Sequence, residues 1–166
     1  TLAAKTGSIT AAGALTLKAT AGIVIQDDFT ATTSGTKPLY INADTDGGAG
    51  TLTVQTAKTL TSNSNHLYIT TYDLDLDGSI VTGNKGSKIH GSTDETIGVG
   101  ATAKDMHIEA TEMQRLTATG GLRVGSTSYG SIVVTRIIDT NSDGIMPLVS
   151  LVASTDDASI TLDGST

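Results

Sequence analysis

Runs of three or four β-favouring residues, cut apart by Gly, Asn, Asp and Ser, extend from one end of this chain to the other. Leu15-Thr-Leu-Lys, Gly22-Ile-Val-Ile, Leu39-Tyr-Ile-Asn, Thr51-Leu-Thr-Val, Leu67-Tyr-Ile-Thr, Gly121-Leu-Arg-Val and Ser159-Ile-Thr-Leu are typical. They recur at intervals of roughly 7 to 13 residues, with almost no helical periodicity between them. A β-sandwich would also give many strands, but strands of about 5 to 6 residues joined by hairpin turns. Shorter runs with small bends suit a chain that winds about an axis and stacks each strand on an earlier one, with roughly three strands per coil.

The composition fits a narrow core. Hydrophobic residues make up 37% of the 166 and aromatics only 3%, whereas Thr (30) and Ser (15) together exceed a quarter of the chain. Thr is β-branched and suits a pleated, half-exposed face. The regular alternation of Ile, Leu and Val argues against a disordered Thr/Ser/Gly-rich chain. With no cysteine, stability must come from the backbone ladder and the core. The net charge of −7 and the scattering of the ten Lys and Arg residues exclude nucleic acid as a partner, because phosphate neutralisation needs clustered cations. No apolar run approaches the ~20 residues that span a bilayer. The chain starts at Thr1 without Met or a signal peptide, which fits a processed protein or a segment of a longer one.

The expected strands over the first hundred residues are 8–10, 15–18, 23–26, 29–32, 39–42, 52–55, 59–62, 67–70, 74–77, 80–82, 88–90 and 96–99. Turn signals separate them: Asp46-Gly-Gly, Ser62-Asn-Ser-Asn, Asp77-Gly, Thr82-Gly-Asn and His90-Gly-Ser. Two echoes support a repeating plan. Gly-Ser-Ile opens a strand at Gly7, Gly78 and Gly130, and Leu39-Tyr-Ile-Asn returns as Leu67-Tyr-Ile-Thr at an offset of 28 (67 minus 39). With coils of roughly 20 to 25 residues the chain would make about seven, a stack about 35 Å tall at ~4.8 Å per strand. One short helical turn is expected near 111–117, with Thr111 as its cap and with Met113 and Leu116 seated over the core. The two most apolar stretches, Ile132-Val-Val-Thr-Arg-Ile-Ile and Ile145-Met-Pro-Leu-Val-Ser-Leu-Val, are pairing hazards if exposed and are expected to be buried or to continue into a neighbouring coil.

Thr96-Ile-Gly-Val-Gly-Ala-Thr-Ala-Lys-Asp-Met-His-Ile, Glu112-Met-Gln-Arg-Leu-Thr-Ala and Gly121-Leu-Arg-Val-Gly-Ser form a block that resembles large filamentous-haemagglutinin-type surface proteins. Thr51-Leu-Thr-Val-Gln-Thr-Ala-Lys-Thr-Leu-Thr-Ser-Asn-Ser-Asn and Asp73-Leu-Asp-Leu-Asp-Gly-Ser-Ile look like the same repeat module, and the resemblance covers roughly residues 5 to 135. It implies a right-handed parallel β-helix, export to the cell surface, and a role in adhesion or in building a fibre. It brings no catalytic residues with it. Met106-His-Ile, Met113 and Arg136-Ile-Ile depart from the module, and the C-terminal 30 residues or so match least.

Several motifs invite a chemical reading. Gly98-Val-Gly-Ala-Thr-Ala fits a relaxed nucleotide-binding fingerprint, but that mechanism needs a helix starting there and an acid about 20 residues on, and position 120 is Gly. The glycines more simply bend the chain. Asp139-Thr-Asn-Ser-Asp-Gly, Asp73-Leu-Asp-Leu-Asp-Gly and Asp44-Thr-Asp-Gly resemble calcium loops, without the acid at the twelfth position. Asp139, Asn141 and Asp143 are the best candidate ligands for Ca2+, against a plain turn. His66, His90 and His107 stand apart from one another and from any nucleophile signature. A sugar-cleaving groove needs converging acids, and five aromatics offer little stacking surface. Thr30/Thr32, Thr51/Thr53, Thr59/Thr61 and Thr117/Thr119 would suit ice binding only if they fell in one column.

Together these readings give an all-β protein, a right-handed parallel β-helix (β-solenoid) forming one segment over residues 1–166. No catalytic, cofactor or metal residue is assigned, and the protein is expected not to be an enzyme. The expected role is that of a rigid extracellular segment of a cell-surface adhesin or filament. Its expected partners are copies of itself, further coils of the same parent chain, surface carbohydrate or another cell. The alternatives are a polysaccharide-binding or polysaccharide-cleaving β-helix and an ice-binding solenoid.

Overall fold

The computed structural model describes residues 1–32, 35–128 and 130–164. Its strands are β1 (Ile9–Thr10), β2 (Leu15–Lys18), β3 (Ile23–Ile25), β4 (Phe29–Thr30), β5 (Leu39–Asn42), β6 (Leu52–Val54), β7 (Thr59–Thr61), β8 (Leu67–Thr70) and β9 (Leu74–Leu76). They continue with β10 (Ser79–Gly83), β11 (Ser87–His90), β12 (Ile97–Gly100) and β13 (Met106–Ile108), then helix α1 (Ala110–Gln114). After it come β14 (Leu116–Ala118), β15 (Leu122–Ser126), β16 (Ile132–Thr135), a 3-10 turn at Asp139–Asn141, β17 (Val149–Ala153) and β18 (Ile160–Asp163).

Alternation drives most of the strands before β12. In β8, Leu67 and Ile69 are buried while Tyr68 and Thr70 are half-exposed; in β9, Leu74 and Leu76 are buried and Asp75 faces solvent. This is the period-two pattern of a strand with one apolar face.

The strands form four sheets, and every ladder is parallel. A six-stranded sheet runs β17-β15-β11-β8-β5-β2, a five-stranded one β1-β4-β7-β10-β14, a four-stranded one β13-β12-β16-β18, and a three-stranded one β3-β6-β9. Strands consecutive in the chain do not pair, except β12 with β13. From β2 to β10 the chain instead visits the six-, three- and five-stranded sheets in rotation, three times over. Parallel pairing requires a long connection between partners, and here the other sheets supply it.

The spacing between paired residues varies more than the repeat of roughly 20 to 25 expected from the sequence. It is 20 from Ile9 to Phe29 (29 minus 9), but 36 from Ile80 to Leu116 (116 minus 80). The longer steps arise where β12, β13 and α1 intervene before the chain returns to the five- and six-stranded sheets. The longest sheet has six strands rather than seven, so it spans five spacings of ~4.8 Å, roughly 24 Å.

The inward side chains form continuous ladders. Leu17, Ile41, Ile69, Ile89, Val124 and Leu151 are successive partners across the six-stranded sheet. Phe29, Leu60, Ile80 and Leu116 do the same in the five-stranded sheet. These residues join a single apolar cluster. Gly100 shows why a glycine is needed at one corner: its φ is +99°, and a Cβ there would collide with the Thr135 carbonyl oxygen.

The helical turn starts one residue and ends three residues earlier than expected. Glu109, not Thr111, is its N-cap, and Leu116 belongs to β14. Both Met113 and Leu116 are nonetheless buried over the core. The C-terminal apolar stretches divide. Ile132 and Ile145 are buried, but Ile138, Met146 and Leu148 are more than half exposed, as is Leu162 of β18. The two stretches are thus buried only in part, which bears on burial and not on the other expectation, continuation into a neighbouring coil: Ile138 lies beyond the end of β16, and Met146 and Leu148 precede β17, an outermost strand of its sheet.

Candidate functional site

The outward face of the six-stranded sheet is chemically unlike the rest of the chain. Its strands read LTLK, LYIN, LYIT, SKIH, LRVGS and VSLVA, without a single Asp or Glu. All three Lys or Arg residues that fall in described strands, Lys18, Lys88 and Arg123, stand here. The register makes this a column. Thr16, Tyr40, Tyr68, Lys88, Arg123 and Ser150 are successive parallel partners. Beside it run Lys18, Asn42, Thr70 and His90.

Tyr40 and Tyr68 stack with ring centroids 4.8 Å apart and planes 12° from parallel, and the His66 ring lies 6.0 Å beyond Tyr68. The strand spacing itself sets that separation. The two Tyr rings and Thr16, Lys18, Asn42 and Thr70 line a shallow groove of about 360 Å³.

Next along the column the cations crowd. Among the described residues neither Lys88 nor Arg123 has an ion-pair or hydrogen-bond partner, and Arg123 Nε is buried with none. Burial, then the adjacent Arg123 guanidinium, holds the Lys88 ammonium below its usual range. Burial also lowers His90, against a hydrogen bond from its Nδ1 to the Gly91 carbonyl at 2.7 Å, and Lys88 and Arg123 depress it further. Like charges directly opposite across a ladder repel. A protein with a net charge of −7 thus gathers its strand-borne cations on one face that bears no strand acid.

The motifs singled out in the sequence fall elsewhere, and most are used structurally. Asn141 is buried; its Oδ1 accepts from the Ile138 N–H at 2.8 Å and its Nδ2 donates to the Ala110 carbonyl at 3.4 Å. Asp139 and Asp143 face solvent, and among the described residues no group of three His, Asp or Glu is placed to hold a metal ion. Asp139–Asn141 form a single 3-10 turn. Asp73-Leu-Asp-Leu-Asp-Gly is a strand with Leu inward; Asp73 Oδ1 accepts from the Leu74 and His107 N–H groups, both at 2.9 Å. Burial pushes the Asp73 carboxyl up.

Asp44 is also buried, and its Oδ1 accepts from the Gly48 N–H at 2.9 Å. Ser92 Oγ links Asp44 Oδ2 to Glu95 Oε1, which also accepts from Thr93 Oγ1 at 2.8 Å. Glu95 Oε2 is buried without a partner, and burial raises that carboxyl, the nearby Asp44 charge adding to it. This clasp ties two loops together; nothing in its sequence spacing announced it.

Gly98 and Gly100 lie in β12, and residues 101–105 lead into another strand, not a helix, so the nucleotide fingerprint lacks its anion-binding amides. The three histidines stay apart, and each bonds a backbone carbonyl: His66 that of Gly86, His90 that of Gly91, His107 that of Gly100. Thr30 and Thr61 are direct partners, but Thr53 lies on the three-stranded sheet, so the Thr pairs do not share one column.

Sequence reasoning treated the basic residues as scattered. The offset of 28 between the two Leu-Tyr-Ile runs was the available signal, since Tyr40 pairs directly with Tyr68. The steps of 20 from Tyr68 to Lys88 (88 minus 68) and 35 to Arg123 (123 minus 88) carry no such echo. Compared with known proteins, no family model matches the chain, and neither a curated protein nor a solved structure is significantly similar to it.

Proposed function

We propose that this chain winds as a right-handed parallel β-helix and serves as a rigid, extracellular structural segment of a cell-surface adhesin or filament. The observation that carries this reading is the rotation of β2 to β10 through three sheets, with each return landing parallel on an earlier strand. Continuous inward ladders of Leu and Ile make such a column stiff, because each layer buries its apolar face against the next. The resemblance of residues 5–135 to filamentous-haemagglutinin-type repeats points the same way, towards export and adhesion.

The outer edge suits a module that does not stand alone. β14, β17 and β18 end their sheets, and Leu148, Val149, Ile160 and Leu162 are exposed around them. Residues Val134, Arg136, Ile137, Ile138 and Leu162 line an apolar recess of about 510 Å³ at the β16–β18 edge. An exposed, apolar strand edge is a template for further pairing. We assign its cover to further layers of the same kind, and the protein carries no catalytic role in this reading. Electron microscopy of the protein tests it: rods or end-to-end strings are expected. Isolated compact particles, with a monodisperse monomer in scattering at all concentrations, would overturn it.

A further inference from the structure

The cationic column calls for an anion. Lys18 and Arg123 are four strand spacings apart, roughly 19 Å at ~4.8 Å per strand, so no small ion reaches both. Between them the face offers the Tyr40 and Tyr68 hydroxyl edges, Asn42, Thr70 and the lowered His90, and the groove of about 360 Å³ beside the Tyr stack. An extended, sparsely charged and hydroxyl-rich polymer matches that arrangement. Nucleic acid does not: a duplex carries a charge about every 1.7 Å, far denser than three cations spread over this face. A bilayer surface is also a poor fit, since hydroxyl and amide groups, not aliphatic anchors, separate the cations.

We infer that the outward face of the six-stranded sheet is a docking surface for an acidic polysaccharide, its carboxylates paired with Lys88 and Arg123 and its hydroxyls lying along the Tyr40–Tyr68 groove. Binding would relieve the repulsion between two adjacent cations that no acid among the described residues neutralises. The inference rests on the register of one sheet and not on the winding of the whole chain or on its export.

Calorimetric titration with polygalacturonate, and in parallel with its methyl ester, tests it: the backbone is the same and only the charge is removed. The free acid is expected to bind, with affinity falling as salt rises, and the ester to bind at least about tenfold more weakly. The double variant Lys88→Gln/Arg123→Gln should lose about tenfold or more, and the exposed Lys18→Gln, which leaves the core untouched, should weaken binding as well. Lys5→Gln and Lys104→Gln, away from this sheet, should bind as the parent does. On titration, the His90 ring should shift towards its protonated form when the polymer is present. Equal binding of acid and ester, binding of neither, or full affinity in the folded Lys88 and Lys18 variants would overturn the proposal. Tighter binding of single-stranded DNA or of phosphatidylserine vesicles at equal charge would overturn it too.

Discussion

Tyr40 and Tyr68 show how register turns a weak sequence echo into an interaction. Their rings stack 4.8 Å apart because their strands are parallel neighbours in register. A double-mutant cycle with Tyr40→Ala and Tyr68→Ala should give a coupling of about 0.5–1.5 kcal/mol in thermal or denaturant unfolding. Deeper in the same sheet Ile69 is fully buried between Ile41 and Ile89. Ile69→Ala leaves a void in a narrow core that cannot collapse sideways, and should cost about 2–5 kcal/mol in denaturant unfolding. The buried carboxyls set a pH dependence. Burial raises Asp73, Glu95 and Glu112 above their unfolded values of 3.8, 4.5 and 4.5. Each therefore binds its proton more readily in the folded chain, and stability falls as pH rises through the raised values. Asp27, lowered by the Ala4 N–H and then by Lys58, acts oppositely and only at more acid pH. The melting temperature should rise as pH is lowered from neutrality towards the carboxylate range, and Glu95→Gln should flatten that slope.

Among the elements, helix α1 has a role that its sequence did not disclose. Glu112 is buried; its Oε2 accepts from the Glu109 N–H at 2.8 Å and its Oε1 from the Leu76 N–H at 2.7 Å. Arg115 Nη1 donates to the Leu76 carbonyl at 2.6 Å. Two side chains thus cover the free edge of β9, the last strand of its sheet. Glu112→Ala should strip the Leu76 amide of its acceptor, cost about 1–3 kcal/mol, and speed hydrogen exchange at that amide while β2 and β5 stay protected. The strands themselves were legible. All twelve expected over the first hundred residues are present within about two residues at each end, because period-two burial of Leu, Ile and Val is a local signal. Which strand pairs with which was not legible beyond Leu39 and Leu67, since the return distance changes whenever a loop or helix is inserted. The Glu112 clamp and the Asp44–Ser92–Glu95 clasp escaped for the same reason: their partners lie 36 to 48 residues away in the chain.

Across the whole molecule, exposed Leu148 precedes β17, and exposed Ile160 and Leu162 lie in β18, both outermost strands of their sheets. Leu162→Lys, at a position already 72% exposed, should leave the melting temperature nearly unchanged and lower any self-association seen by sedimentation. The winding itself is best tested by distance. The chain has no cysteine, so paired nitroxide labels can be placed on Cys substitutions without interference. Labels at Thr16 and Ser150, and separately at Lys18 and Val152, sit on the first and last strands of the six-stranded sheet. If six parallel strands stack in register, electron–electron resonance should give two narrow distributions with the same centre, roughly 24 Å. Two clearly unequal distances, or one broad distribution, would mean that the strands do not wind in parallel, and the account would fail.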